Sequence, residues 1–385
     1  MRIAIVHDWL DTWRGGESTL AEVVSVFPQA DLYALVDFLS VENRPRLLGK
    51  RARVSFLQRI PGAARHFRAL LPLFPRAIES LDVSAYDMVI SVSHAVAKGV
   101  RTHAGQLHVC YCLTPMRYAW DMRERYLASA GAQHGLRRVL AERILESLRR
   151  WDVDASRRVN RFIAISDYIR ERILRYYDRK ATVIHPPVDV DFFTPAAQSP
   201  SAQAYVTASH WVAYKRIDLI VEAFRSMPQH RLIIAGNGPE ATRALSASCP
   251  NVEFVGEVSR ERLRELLRAA RAFIFAAEED FGIAPLEAQA CGTPVIAYAR
   301  GGVAETVHGL DAREPTGVFF SEQTVPALCD AVACFEKNAA RIAREACRAN
   351  AQRFGRELFR RRFGEHIAAL LEEFNASRAR RPSPC

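Results

Sequence analysis

The run Glu279-Asp280-Phe281-Gly282-Ile283-Ala284-Pro285-Leu286-Glu287-Ala288-Gln289-Ala290-Cys291-Gly292 sets two carboxylates, Glu279 and Glu287, around what reads as a strand-to-helix junction. The preceding Ala272-Phe273-Ile274-Phe275-Ala276-Ala277 reads as a buried strand. The helix is expected to open near Pro285, because proline suits a first turn whose N–H has no helical partner. Glu279 then lies on the loop with Phe281 and Gly282, and Glu287 lies in the first helical turn. Backbone N–H groups around Ile283 and Ala284 leave the helix start and can receive a diphosphate, with the positive end of the helix dipole behind them. A diphosphate carrying a sugar would set its sugar beside one carboxylate and its ribose beside the other.

This segment resembles the E-x7-E signature of retaining glycosyltransferases of family 4. Their GT-B fold is α/β, with two doubly wound Rossmann-like domains facing across a cleft. The match extends through the Phe-Gly pair and the proline to the following Glu-Ala-Gln-Ala-Cys-Gly-Thr-Pro-Val. The resemblance implies that Glu279 lies at the donor sugar and Glu287 at the ribose. It also implies that Phe281, Gly282, Ile283 and Ala284 form the loop whose N–H groups meet the phosphates. Taken alone, Glu279 is equally a solvated loop acid and Glu287 a complement to the helix dipole.

A second stretch, Ser209-His210-Trp211-Val212-Ala213-Tyr214-Lys215-Arg216-Ile217-Asp218, resembles the family's arginine followed five positions later by a lysine, both on the donor diphosphate. Lys215 keeps the lysine, whereas His210 takes the arginine's place. A neutral imidazole is a weaker phosphate partner than a guanidinium, so either Arg216 compensates or the site leans more on the helix start. The reaction implied is transfer of a hexose from a nucleotide diphosphosugar to an acceptor hydroxyl, with retention. Lys215 and the helix start stabilise the charge that develops on the departing diphosphate, so no metal is expected. In the family's front-face scheme the leaving phosphate takes the acceptor proton and Glu279 orients the sugar. A carboxylate there is also placed for a covalent intermediate.

Alternating strands and helices must hold these residues. The first half opens with a strand at residues 3–6 and a glycine pair in Trp13-Arg14-Gly15-Gly16-Glu17. A helical pattern of Leu20, Val23, Val24 and Phe27 follows, without G-x-G-x-x-G. The resemblance implies that Gly15 and Gly16 reach the donor phosphates or the acceptor, and Glu17 either joins them or belongs only to a tight turn. Further strands are expected at 86–91, 108–112 and 161–165, the last running into the helix caps Ser166 and Asp167. Four stretches resemble a polysaccharide-assembly and O-antigen branch of the family. They are the glycine pair with its flanks, Ser91-Val92-Ser93-His94-Ala95-Val96-Ala97-Lys98-Gly99, Thr114-Pro115-Met116-Arg117-Tyr118-Ala119-Trp120-Asp121, and residues 176–189. Many such relatives place a histidine near the reacting sugar where this chain has Leu113. His94 is then the candidate polar group at the reaction centre, or simply a histidine that holds its loop.

The second half repeats the pattern, with strands at 205–209, 231–235, 252–255, 272–275 and 294–297 separated by helices. Such alternation requires parallel pairing and a doubly wound sheet, whose ligands collect at the carboxyl ends of the strands. Gly236 and Gly238 in the turn through Glu240, then Gly256, Glu279, Gly301 and Gly302, all fall at those ends. Expected domains are 1–190 on the acceptor side, a linker at 191–203 and 204–360 on the donor side. A C-terminal helix at 361–376 packs back on the first domain, and 377–385 is a disordered basic tail. Asp189 and Asp191 read as a proline-flanked chain leaving a strand rather than as a metal motif.

Length suits two domains, since 385 residues exceed one ordinary core. The first residues read as a strand rather than a signal peptide and no long apolar run is present, so a cytoplasmic place is expected. The scattered cysteines, including Cys110 and Cys112 on one strand face, read as reduced core thiols rather than a metal site. A net charge of +10 points to an anionic partner. Residues 44–76 carry nine cations and no acid, interleaved with Phe56, Leu57, Ile60, Phe67, Leu70, Leu71, Leu73 and Phe74. They read either as a core-packing segment with a basic face or as a surface for the inner face of an anionic membrane. Residues 135–151 are a second amphipathic candidate.

No nucleic-acid motif accompanies the charge, so a nucleic-acid partner is not expected. A non-catalytic nucleotide-sugar-binding protein and a nucleotide-sugar epimerase are the competing classes. For the enzyme, the branch resemblance implies GDP-mannose as donor, with UDP-glucose next, and a lipid-linked saccharide as acceptor in polysaccharide assembly.

Overall fold

A computed structural model of the chain describes residues 1–121, 123, 127, 131, 134–197, 204–239 and 249–379. Glu240, residues 198–203 of the expected linker and residues 380–385 of the expected tail lie outside the described residues. The chain divides into two compact units, Met1–His185 with Phe359–Cys385, and Pro186–Leu358.

Unit 1 is built on a parallel sheet of seven strands: β1 (Ile3–His7), β2 (Asp31–Ala34), β3 (Arg53–Val54), β4 (Met88–Ser93), β5 (Leu107–Cys112), β6 (Arg161–Ala164) and β7 (Ala181–Val183). Their order is β3-β2-β1-β4-β5-β6-β7, so the winding reverses between β1 and β4. The central strands β1, β4 and β5 are buried at every residue, as strands covered by helices on both faces must be. Cys110 and Cys112 lie wholly inside this sheet as free thiols.

Residues 44–76 are not one amphipathic helix. Short 3-10 turns and single helical turns succeed one another from Val41–Leu47 to Phe74–Glu79, with Pro45 and Pro72 inside two of them. Leu57, Phe67, Leu71 and Phe74 enter the core, with Ile60, Leu70 and Leu73 packed against it. The apolar side chains that would have met a bilayer therefore face inward, and of the aromatic residues named above only Phe56 is substantially exposed.

The C-terminal helix runs Arg356–Ala379, longer than expected and three residues into the supposed tail. Its Phe359 and Phe363 pack on Tyr111 of β5, and Arg360 bonds Glu22 at 2.6 Å.

Unit 2 carries a second parallel sheet of six strands: β8 (Ala204–Ala208), β9 (Arg231–Ala235), β10 (Val252–Gly256), β11 (Ala270–Phe275), β12 (Val295–Tyr298) and β13 (Gly317–Phe320). The order β10-β9-β8-β11-β12-β13 reverses direction between β8 and β11. Residues 186–197, partly assigned above to domain 1 and a linker, are fastened to unit 2. Val188 bridges Gly355, Arg348 donates to the carbonyls of Val190 and Phe193, and Arg268 donates to Thr194. No helix among the described residues is long and apolar enough to cross a membrane.

Candidate functional site

The switch point of unit 2 brings the two motif segments together. After β8 the chain makes the turn Ala213–Lys215, and after β11 it runs through Glu278 to Gly282 into the helix Ile283–Ala290. Lys215 and Glu279, each with a side chain 16% exposed, form an ion pair at this point. The Lys215 ammonium also lies 5.9 Å from the Phe275 ring and 5.4 Å from that of Tyr214. Its charge is thereby held against aromatic faces at the end of the sheet.

Glycines allow the loops to approach this closely. Gly301 has φ +82°, and a Cβ there would overlap the carbonyl oxygen of Glu279. Glu279 bridges Gly301 and accepts the Gly302 N–H at 2.9 Å. Gly282 caps the helix in the left-handed conformation with no side chain in the capping position. On the other side of β8, Gly236 donates to the carbonyl of Gly256 at 2.7 Å, and Gly238 lies against the Trp211 backbone.

Arg216 bonds Asp218 and Gln323, each at 3.3 Å, and Gln323 in turn donates to Ala276 at 2.7 Å. Its guanidinium is thus tied to Asp218 in the first turn of the following helix and to Gln323, just ahead of the helix Val325–Asn338. His210 is exposed.

Glu287 is not in the first turn. The helix opens at Ile283, two residues ahead of Pro285, which leaves Glu287 one turn in, past the reach of capping. Phe281 is buried against Phe354, and Ile283 and Ala284 are the first two helical residues. Burial pushes the Glu287 carboxyl up to about 7, with Arg260 opposing and Asp189 adding to the rise. Asp189, read above as plain chain, pairs with Arg260 at 2.7 Å and Arg356 at 3.0 Å. No local pattern marks it, because both partners are distant in sequence.

Unit 1 has its own cluster at the switch point between β1 and β4. Asp8, fully buried just after β1, accepts backbone N–H bonds from His94, Ala95, Val96 and Ala97 at 2.6, 3.1, 2.5 and 2.7 Å. His94 Nδ1 lies 3.0 Å from the same carboxylate, with the imidazole 27% exposed. Burial opposes the Asp8 charge, yet His94 and these N–H groups hold the carboxyl well below its usual range. His94 is raised in the same way: burial opposes its charge, and Asp8, Glu17 and Asp11 outweigh burial. His7 must donate from Nδ1 to the Val92 carbonyl at 2.8 Å, and burial followed by the His94 charge lowers its pKa.

His7, Asp8 and His94 lie close enough to frame a cation. Each Asp8 oxygen already accepts at least two N–H groups, however, which spends the lone pairs a metal would need. Gly15 and Gly16 open the helix Gly15–Val26, and a Cβ at Gly16 would meet the Leu113 side chain at an ordinary contact distance of 3.5 Å. Glu17 accepts the Arg14 N–H at 2.9 Å, so it caps this helix.

Residues 198–354, which carry Lys215, Glu279 and Glu287, match the family described as glycosyl transferases group 1. The D-inositol 3-phosphate glycosyltransferase of Xylanimonas cellulosilytica is 31% identical over 244 residues, 55% of this chain and 56% of that relative. Its counterpart in Mycobacteroides abscessus is 32% identical over 170 residues, 39% and 38% of the two chains. The aligned stretches thus span about half or less of those relatives' own length. Anabaena HepE in complex with UDP-glucose superimposes over 96% of this chain and 100% of its own, with a TM-score of 0.68 at 16% identity. The fold is GT-B. It places Lys215 and Glu279 in the second Rossmann-like unit and His94 in the first.

Proposed function

We propose that this protein is a retaining glycosyltransferase of the family 4 type, which moves a hexose from a nucleotide diphosphosugar to a saccharide acceptor. The observation that carries the reading is the Lys215–Glu279 pair at the switch point of unit 2, beside a helix start with no side-chain cap. A diphosphate binding there gains Lys215 and the N–H groups of Ile283 and Ala284, and Glu279 turns to the sugar hydroxyls. Glu287, one turn further on, meets the ribose. The chemistry asks for no metal, because fixed N–H groups and an ammonium supply the positive charge.

GDP-mannose is the first donor to test, on the strength of the polysaccharide-assembly resemblance. UDP-glucose is the second, supported by the complex of HepE, which shares the fold. A lipid-linked saccharide in polysaccharide assembly is the proposed acceptor, reached at the inner face of an anionic membrane. The contact surface proposed is the helix Gly135–Arg157, whose Leu136, Val139 and Leu140 are 84%, 44% and 59% exposed beside Arg137 and Arg143.

Thermal shift with GDP, GDP-mannose, UDP and UDP-glucose tests the site, since a ligand of the native state raises apparent stability. One nucleotide diphosphate and its sugar should stabilise, and an acceptor should release free diphosphate in the presence of EDTA. Stabilisation without release would make the protein a nucleotide-sugar binder. No stabilisation by any nucleotide would remove the reading.

A further inference from the structure

The loops at the carboxyl ends of the second sheet are acidic. They span residues 209–216, 236–239, 257–259, 276–282, 299–302 and 321–324. Among the described residues they hold five acids, three of them consecutive at Glu278, Glu279 and Asp280, against three cations, Lys215, Arg216 and Arg300. Lys215 is matched by Glu279, and Arg216 is committed to Asp218 and Gln323. His210 sets an imidazole where the family resemblance implies a guanidinium. A diphosphate brings further negative charge to this edge, so a site there calls for a cation that is not already paired.

Arg300 is in the place to supply it. It follows β12, the strand beside β11, so the loop after β11 runs between Arg300 on one side and Lys215, after β8, on the other. Its backbone is fixed. The Arg300 N–H donates to the Tyr298 carbonyl at 2.8 Å, and the next residue, Gly301, bridges Glu279. A Cβ at Gly302 would lie 2.4 Å from the Phe281 Cα and 2.5 Å from the Asp280 carbonyl oxygen, so the loops after β11 and β12 meet backbone to backbone. The side chain is the opposite case. It is exposed, and its guanidinium makes no hydrogen bond, ion pair or ring contact with any described residue. Lys215 has to leave Glu279 before it can turn to a phosphate, whereas Arg300 breaks no pair to present its fork of donors to one.

Resting on the glycosyltransferase reading, we propose that Arg300 is the second cation of the donor site and binds the diphosphate from the β12 side, in the part that His210 does not fill. The diphosphate then lies over the start of the helix Ile283–Ala290 with an ammonium on one flank and a guanidinium on the other. Arg300 thereby offsets the acids of the Glu279 loop, which would otherwise repel the ligand. A nucleoside without phosphate gains nothing from it.

Isothermal titration of wild type, Arg300→Ala and Arg300→Lys with GDP, UDP, guanosine and uridine tests the assignment. For whichever diphosphate binds, Arg300→Ala should weaken it by about tenfold or more, the loss of a hydrogen bond between charged groups, and leave the matching nucleoside unaffected. Arg300→Lys keeps the charge without the fork and should recover part of the affinity. Because the side chain is exposed and unpaired, the ligand-free melting temperature should not move, so weaker binding will not reflect weaker folding.

A third pair of ligands, UDP-glucose and UDP-glucuronate, separates phosphate from an acidic sugar. If Arg300→Ala binds UDP-glucose like wild type and loses only UDP-glucuronate, the cation belongs to a sugar carboxylate and the proposal falls. An Arg300→Ala protein equal to wild type toward every diphosphate overturns the proposal and leaves the glycosyltransferase reading standing. A wild-type protein that binds no nucleotide overturns both.

Discussion

Lys215 and Glu279 neutralise each other where the winding of the second sheet reverses, one on the loop after β8 and the other on the loop after β11. A bound diphosphosugar would divide the pair, the ammonium turning to phosphate and the carboxylate to sugar.

Lys215→Ala should weaken nucleotide diphosphate and intact donor alike by about 1.5 to 3 kcal/mol, the range for a hydrogen bond to a charged group. Isothermal titration reads this directly. Equal affinity in the variant would move the phosphate site elsewhere. Glu279→Gln should spare nucleotide affinity and sharply reduce transfer, because its proposed contact is with the sugar.

Glu287 gives a pH signature in the ligand-free protein. Its folded pKa is about 7 against an ordinary 4.5, so between those values the folded state binds more protons than the unfolded one and stability falls as pH rises. Above the folded value the ionised carboxylate costs up to about 3 kcal/mol, because each tenfold rise in proton affinity corresponds to about 1.4 kcal/mol. Glu287→Gln should therefore raise the melting temperature at pH 8 and leave it unchanged at pH 4, while transfer falls. Urea melts of both proteins across this range check the sign. A variant less stable at pH 8 would contradict it.

Gly301→Ala should act on the site through the backbone. Its φ of +82° and the overlap of a Cβ with the Glu279 carbonyl must displace the Glu279 loop. The expected loss is more than about 1 kcal/mol of stability, together with weaker nucleotide binding. Unchanged binding in a destabilised variant would show that the loop position does not govern the phosphate contacts.

Vesicle flotation separates the two basic surfaces. Each cation near an anionic bilayer is worth roughly 1 kcal/mol, screened by salt. Leu136→Ser, Val139→Ser and Leu140→Ser together should abolish most of the binding. Arg59→Glu, Arg65→Glu and Arg68→Glu together should have the smaller effect, because their apolar neighbours are turned into the core. The reverse order would restore residues 44–76 as the contact.

Central strands are legible because burial on both faces writes short apolar runs, as in Met88 to Ile90 and Ala272 to Phe275. Arg53–Val54 and Ala181–Val183 are not, since short, partly exposed edge strands carry no such run. Glu279 and Lys215 could be read from motif context. Asp8 could not, because its partners are backbone N–H groups after another strand, and a backbone amide leaves no mark on residue type. The interleaved cations and apolar residues of 44–76 fit a core edge as well as a lipid surface, and periodicity does not tell inside from outside. Glu287 lies two residues deeper in its helix than the sequence predicts, because Gly282, not Pro285, sets the helix start.

The first unit to begin is also the last to finish. Residues 1–185 leave the ribosome long before Phe359, Phe363, Ile367 and Leu370, the helix residues that complete the interior around Tyr111. All of unit 2 is synthesised in between, so during translation the first sheet must wait with that flank uncovered while the second closes. A nascent chain or a truncation that stops before residue 359 would therefore show unit 2 formed and unit 1 still incomplete.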